Sequence, residues 1–130
     1  MEFVLVVHQY LRFVILALGI LGALRSWVSL GTREARFMRL DEMFSRVYSG
    51  ALDLQVLAGA ALLIFLLSQS AEVVWIHPII MLPAVVVSHL SRRFRDRPDR
   101  DRHTAQLSIY VGSLALIAVG LAVIGELRLI

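Results

Sequence analysis

Four long apolar stretches, residues 3–24, 47–67, 73–90 and 107–127, alternate with short polar segments along the chain. A bilayer core about 30 Å thick is crossed by roughly 20 predominantly apolar residues in helical form. Each stretch is near that length. The pattern predicts an all-α polytopic membrane protein, an antiparallel four-helix transmembrane bundle. Its single domain covers residues 1–130, with spans at about 3–28, 47–67, 73–90 and 105–127. The spans and their short connections use almost the whole chain and leave no room for a soluble catalytic domain.

Composition agrees with this pattern. The hydrophobic fraction is 58% and the mean hydropathy +0.77, beyond the ordinary soluble range. Cysteine is absent, which excludes disulfides, thiolate metal sites, iron–sulfur clusters and haem attachment through Cys-x-x-Cys-His. Lysine is absent as well, so all 13 basic residues are arginine. A net charge of +3 and a pI near 10.2 invite a nucleic-acid reading. The placement of the charge argues against nucleic acid and for lipid, because the excess sits in juxtamembrane loops.

That placement also orients the chain. The first loop carries Arg33, Arg36, Arg39 and Arg46, and the third carries Arg92, Arg93, Arg95, Arg97, Arg100 and Arg102. With four spans, both loops lie on one face. The opposite face has Met1-Glu2, the connection 68–72 and the tail with Arg128. The positive-inside rule then puts both termini outside, in a membrane expected to be the bacterial cytoplasmic (inner) membrane. Met1-Glu2 lacks the basic start of a signal peptide, so the first span is expected to stay as a structural helix.

The two halves resemble each other. Tyr48-Ser49-Gly50-Ala51-Leu52-Asp53-Leu54 and Tyr110-Val111-Gly112-Ser113-Leu114-Ala115-Leu116 align on tyrosine, glycine, a small residue and two leucines. A two-fold repeat of helical hairpins about the membrane normal would produce this. Interfacial tyrosines followed by small packing residues would also produce it. The third span holds Pro78 directly after His77, and Pro83 five residues later. Its regular part is expected to begin at Pro78, behind a lead-in at 73–76 anchored by Trp75, with a kink at Pro83.

Ionisable residues inside the spans are costly and mark function by default. Toward the outer side these are His8, Arg12 one helical turn later, and His77; toward the inner side are Asp53, Gln55 and His89. At about 1.5 Å per residue, His8 lies about 7 Å below the start of its span, and His77 at a similar or slightly shallower depth. Two histidines at matched depth on different helices are what bis-imidazole ligation of a haem requires. Arg12 would then neutralise a propionate or a substrate anion. The plainer reading makes both histidines interfacial, with Arg12 snorkelling to the headgroups. A simple metal site lacks a third ligand at that depth, with Glu126 its only candidate. His103 falls in the arginine loop and is expected to be solvated. Asp53 is expected to avoid lipid, with Arg12, Gln55 or His89 as partner.

His8-x-x-x-Arg12 at the start of the first span, Gln55-x-x-x-Gly59 in the second, and His77 fifteen residues before the basic end of the third resemble a family of small four-span proteins called cytochrome b-like. The resemblance covers nearly the whole chain, on short motifs set in apolar helices. It implies a membrane-embedded b-type haem protein that carries electrons, with His8 and His77 at positions matching family histidines. The sequence departs at Pro78, and at Asp53, where the family pattern has a histidine. A second haem, or ligation at that position, is thus left without its residue.

Other classes stay open. One is a non-catalytic accessory or assembly subunit of a larger respiratory or photosynthetic membrane complex. A homo-oligomer or a quinone is a further possible partner. A transporter would need several copies to enclose a path. An enzyme is the weakest reading, because the chain has no nucleophile–base pair and no phosphate loop.

Overall fold

The computed structural model describes residues 1–73 and 75–125. Over these residues the chain forms α1 (Glu2–Leu30), α2 (Arg39–Ser68), α3 (Ile76–Ser88), a 3-10 helix (His89–Phe94) and α4 (Asp99–Val123). Among the described residues there is no strand. Helices α1, α2 and α4 are long and apolar enough to cross a membrane. The third apolar stretch is shorter as regular helix than expected. Its α-helical part has 13 residues, about 20 Å at the usual rise, before the chain tightens into the 3-10 helix.

Local chemistry sets the ends. Asp41, at the third position of α2, accepts the Met38 N–H through Oδ2 at 2.9 Å and so closes the first turn. Helix α4 starts directly after Pro98 and carries Asp99 and Asp101 in its first turn, where negative charge suits the helix dipole. Helix α3 starts at Ile76, two residues earlier than expected, so His77 is helical and Pro78 falls in the first turn. Pro83 lies inside α3, and the helix continues past it.

Neighbouring helices run antiparallel. His8 of α1 meets Gln55 and Gly59 of α2, while Arg25 meets Asp41. His77 of α3 meets Gly120 of α4, while Val87 lies beside Gly112. Helices α1 and α4 pack closely along their length, whereas α2 and α3 touch least. A two-fold relating the hairpins would make those two interfaces equivalent, so the halves do not pack as equals.

The centre is small and partly polar. Tyr48 and Tyr110, the tyrosines of the two similar segments, meet edge to face with ring centroids 5.1 Å apart. Ser113 Oγ spends its proton on the Ile109 carbonyl at 2.7 Å, so the Tyr48 hydroxyl donates to Ser113 Oγ at 2.6 Å. Close approach needs glycine here: a Cβ on Gly22 would collide with Cζ, Cε2 and the hydroxyl of Tyr110. The outside is the reverse of a soluble protein. Phe3 (79%), Ile64 (68%) and Leu57 (67%) are exposed, while Gln55, Gln106 and Ser113 are buried.

The arginine end is tied together by α4, which corrects the expectation for His103. This residue belongs to α4 and is 0% exposed. Its Nε2 bonds the Arg36 carbonyl at 2.9 Å, its Nδ1 lies 3.4 Å from Ser26 Oγ, and its ring packs on Phe37. Three residues earlier, Arg100 donates to the carbonyls of Leu30, Thr32 and Arg33. Between them Ala35 is fully buried in a left-handed conformation, φ 47°. The loop 31–38 is therefore folded down onto α4 rather than left in solvent.

Candidate functional site

At the end opposite the arginine loops, the sparse contact between α2 and α3 opens a cleft of about 540 Å³. That size is in the range of small-molecule and cofactor cavities. Its walls are mostly aliphatic, including Leu52, Val56, Leu63, Met81 and Leu121. Its polar groups include the four read from the sequence, His8, Arg12, Gln55 and His77, together with Gln9 and Glu72. Two histidines from helices that are not chain neighbours thus share one cavity.

Each polar residue is placed by an identifiable contact. His77 Nδ1 lies 2.9 Å from the Gly120 carbonyl oxygen. A carbonyl only accepts, so Nδ1 carries a proton, and in the neutral ring the Nε2 lone pair is left free. Gly120 allows this approach, since a Cβ there would strike Met81. On the facing side, the His8 ring lies against Gly59, where a Cβ would come 3.3 Å from His8 Cε1. Gln55 Nε2 donates to the His8 main-chain carbonyl at 2.8 Å and fixes α1 against α2 at this level. The guanidinium of Arg12 lies over the Phe13 ring at 4.7 Å and forms no ion pair among the described residues.

Two buried atoms in this wall lack a partner: His8 Nδ1 and Gln55 Oε1. Both are closed off from the open space of the cleft, as are two further unpartnered atoms outside its lining, Gln106 Nε2 and Tyr110 OH. The donor set fits a haem. The two imidazoles come from opposite walls, one is held through Nδ1 by a backbone carbonyl, and an unpaired cation lies in the lining. No group of three or more metal-ligating side chains occurs among the described residues. Glu126 lies outside the described residues.

The remaining sequence candidates lie elsewhere. Asp53 and His89 pair with each other, Oδ1 to Nε2 at 2.8 Å, in a different cleft at the arginine end. Asp53 thus meets His89 rather than Arg12 or Gln55, and it is half exposed. Sequence reasoning missed the Arg25–Asp41 ion pair at 2.9 Å, with Asp41 almost fully buried. An acid at the third helical position, where it can cap the helix start, was the available signal. Ser26, His103 and Asp41 lie together but form no nucleophilic relay. His103 Nε2 is engaged by the Arg36 carbonyl, and the serine is buried.

No family model matches this chain, and neither a curated protein nor a solved structure is significantly similar to it. The resemblance to cytochrome b-like proteins therefore rests on the quoted residues alone.

Proposed function

We propose that this protein is an integral membrane four-helix bundle that binds a b-type haem between His8 and His77 and carries electrons within the bilayer. The observation that carries the reading is the state of the two histidines across one cleft. His77 is pinned through Nδ1, and both rings line the cleft from different helices. The bilayer reading is supported by the apolar exterior and by three helices of spanning length.

Bound there, haem would supply one-electron transfer at a six-coordinate iron. The chain's own residues have definable tasks. The Gly120 carbonyl holds the His77 ring in one tautomer and orientation. Gly59 gives the His8 ring its space, and Gln55 locks the α1 backbone carrying it. Arg12 offers a guanidinium to a carboxylate group in the cleft. The aliphatic walls keep water out.

The absorption spectrum of dithionite-reduced protein, expressed with ample haem, tests this. A low-spin spectrum should be present and should be lost in His8→Ala and in His77→Ala. It should persist in His89→Ala, which alters the other cleft. Absence of a Soret band refutes the cofactor and leaves the accessory-subunit reading. A spectrum that survives both cleft substitutions places the haem away from these histidines.

A further inference from the structure

The arginine end holds a second cleft, of about 380 Å³, between α2, the 3-10 helix and α4. Arg46, Arg92, Arg95 and Arg102 line it, against two carboxylates, Glu42 and Asp53. Both carboxylates are engaged. Glu42 accepts from Arg46 at 3.0 Å, and Asp53 is bonded to His89 at 2.8 Å. Arg102 is stacked 3.8 Å from the Phe37 ring centroid. Arg92 and Arg95 form no ion pair among the described residues. On the same wall, Ser45 and Ser91 share one hydroxyl hydrogen bond at 3.1 Å, which leaves the second hydroxyl proton free. The cleft thus gathers two uncompensated guanidiniums and a spare hydroxyl, a donor set matched to a phosphate oxyanion.

We infer that this cleft is a headgroup site for an anionic phospholipid, whose phosphate is held by Arg92 and Arg95. The choice of a lipid over a soluble phosphate comes from what adjoins the site. At Asp53 and His89 the cleft adjoins the seam between α2 and α3, the least packed of the interfaces between neighbouring helices. Beyond Asp53 and His89 the seam continues between Val56 and Ala60 on α2 and Leu82 and Val85 on α3. An acyl chain attached to a phosphate in the cleft has an apolar path beside it. A free phosphate would gain the same arginines and leave that path unused. Basic pockets between membrane helices bind anionic headgroups on this principle. The phosphate contacts are independent of haem, whereas the acyl path shares Val56, Ala60, Leu82 and Val85 with the opposite cleft.

Native mass spectrometry of the purified protein in neutral detergent provides the test, with phosphatidylglycerol as probe and phosphatidylcholine as headgroup control. The double variant Arg92→Gln/Arg95→Gln changes two exposed side chains and no core contact. It should bind phosphatidylglycerol roughly 30-fold more weakly, on about 1 kcal/mol per basic residue. The variant Arg33→Gln/Arg39→Gln makes the same charge change outside the cleft and should bind like the unaltered protein. Equal loss in both variants would mean a diffuse surface field and no site, and no loss in the cleft variant would also overturn the inference. Displacement of the lipid by millimolar inorganic phosphate would make the ligand a soluble phosphate and refute the lipid assignment.

Discussion

Replacing His103 with alanine removes a fully buried side chain that, together with Arg100, ties α4 to α1 and to the loop 31–38 at the arginine end. The imidazole is fully buried, so truncation leaves a cavity worth about 2–3 kcal/mol, the lower part of the range for large-to-small core changes. It also strips the Arg36 carbonyl of its donor, at a cost of about 1–2 kcal/mol if the group stays buried. The loop can relieve part of that second cost by lifting off α4 and hydrating the carbonyl. A net loss of about 3 kcal/mol is expected, which corresponds to a fall of roughly 10 °C in the unfolding midpoint for a chain of this size. His103→Gln keeps a donor and should recover part of the loss. Thermal unfolding in detergent, followed by tryptophan fluorescence, measures the midpoint. Limited trypsin digestion reads the loop itself, because Arg33, Arg36 and Arg39 are cleavage sites within or beside it. His103→Ala should be cut there faster than the unaltered protein. An unchanged midpoint together with an unchanged cleavage rate would refute the latch.

Gly22→Val should separate α1 from α4, because any Cβ at this position collides with Tyr110; a loss of roughly 2–3 kcal/mol, as for an overpacked core, should appear as a lowered midpoint in the same thermal assay. With no native cysteine, single cysteines at Ser70 and Thr104 can be probed with an impermeant thiol reagent in intact cells. Labelling at 70 and not at 104 is expected from the arginine distribution, and the reverse pattern would invert the orientation.

Hydropathy located the helices well but not their full extent. The apolar runs beginning near residues 47 and 107 mark where lipid-facing surface starts, whereas α2 and α4 begin at Arg39 and Asp99. Their first turns are polar, so a hydrophobicity pattern passes over them. The shared cleft of His8 and His77 was legible, because equal depth on two helices of one bundle leaves few places for the side chains to go. His103 was not, since a histidine following Arg100-Asp101-Arg102 looks solvated. The signal lay in the longer period: His103, Gln106, Tyr110, Ser113, Ile117 and Gly120 recur at helical spacing and form the buried face of α4. His89 was one of three partners the sequence offered Asp53, and the register of α2 against the end of α3 selects it.

The loose α2–α3 seam bears on how any occupant arrives. Both clefts border it, and the better-packed interfaces of α1 with α2 and of α4 with α1 and α3 form a frame around it. An apolar guest therefore has a sideways door. It would come from the surrounding oily phase and would not have to cross the helix ends. For such a guest the governing concentration is a mole fraction among neighbouring lipids, not a molarity in water. Affinities titrated from the aqueous side would then shift with the amount of lipid or detergent present, even with the protein unchanged. Dilution with lipid at fixed protein and guest would weaken apparent binding in proportion.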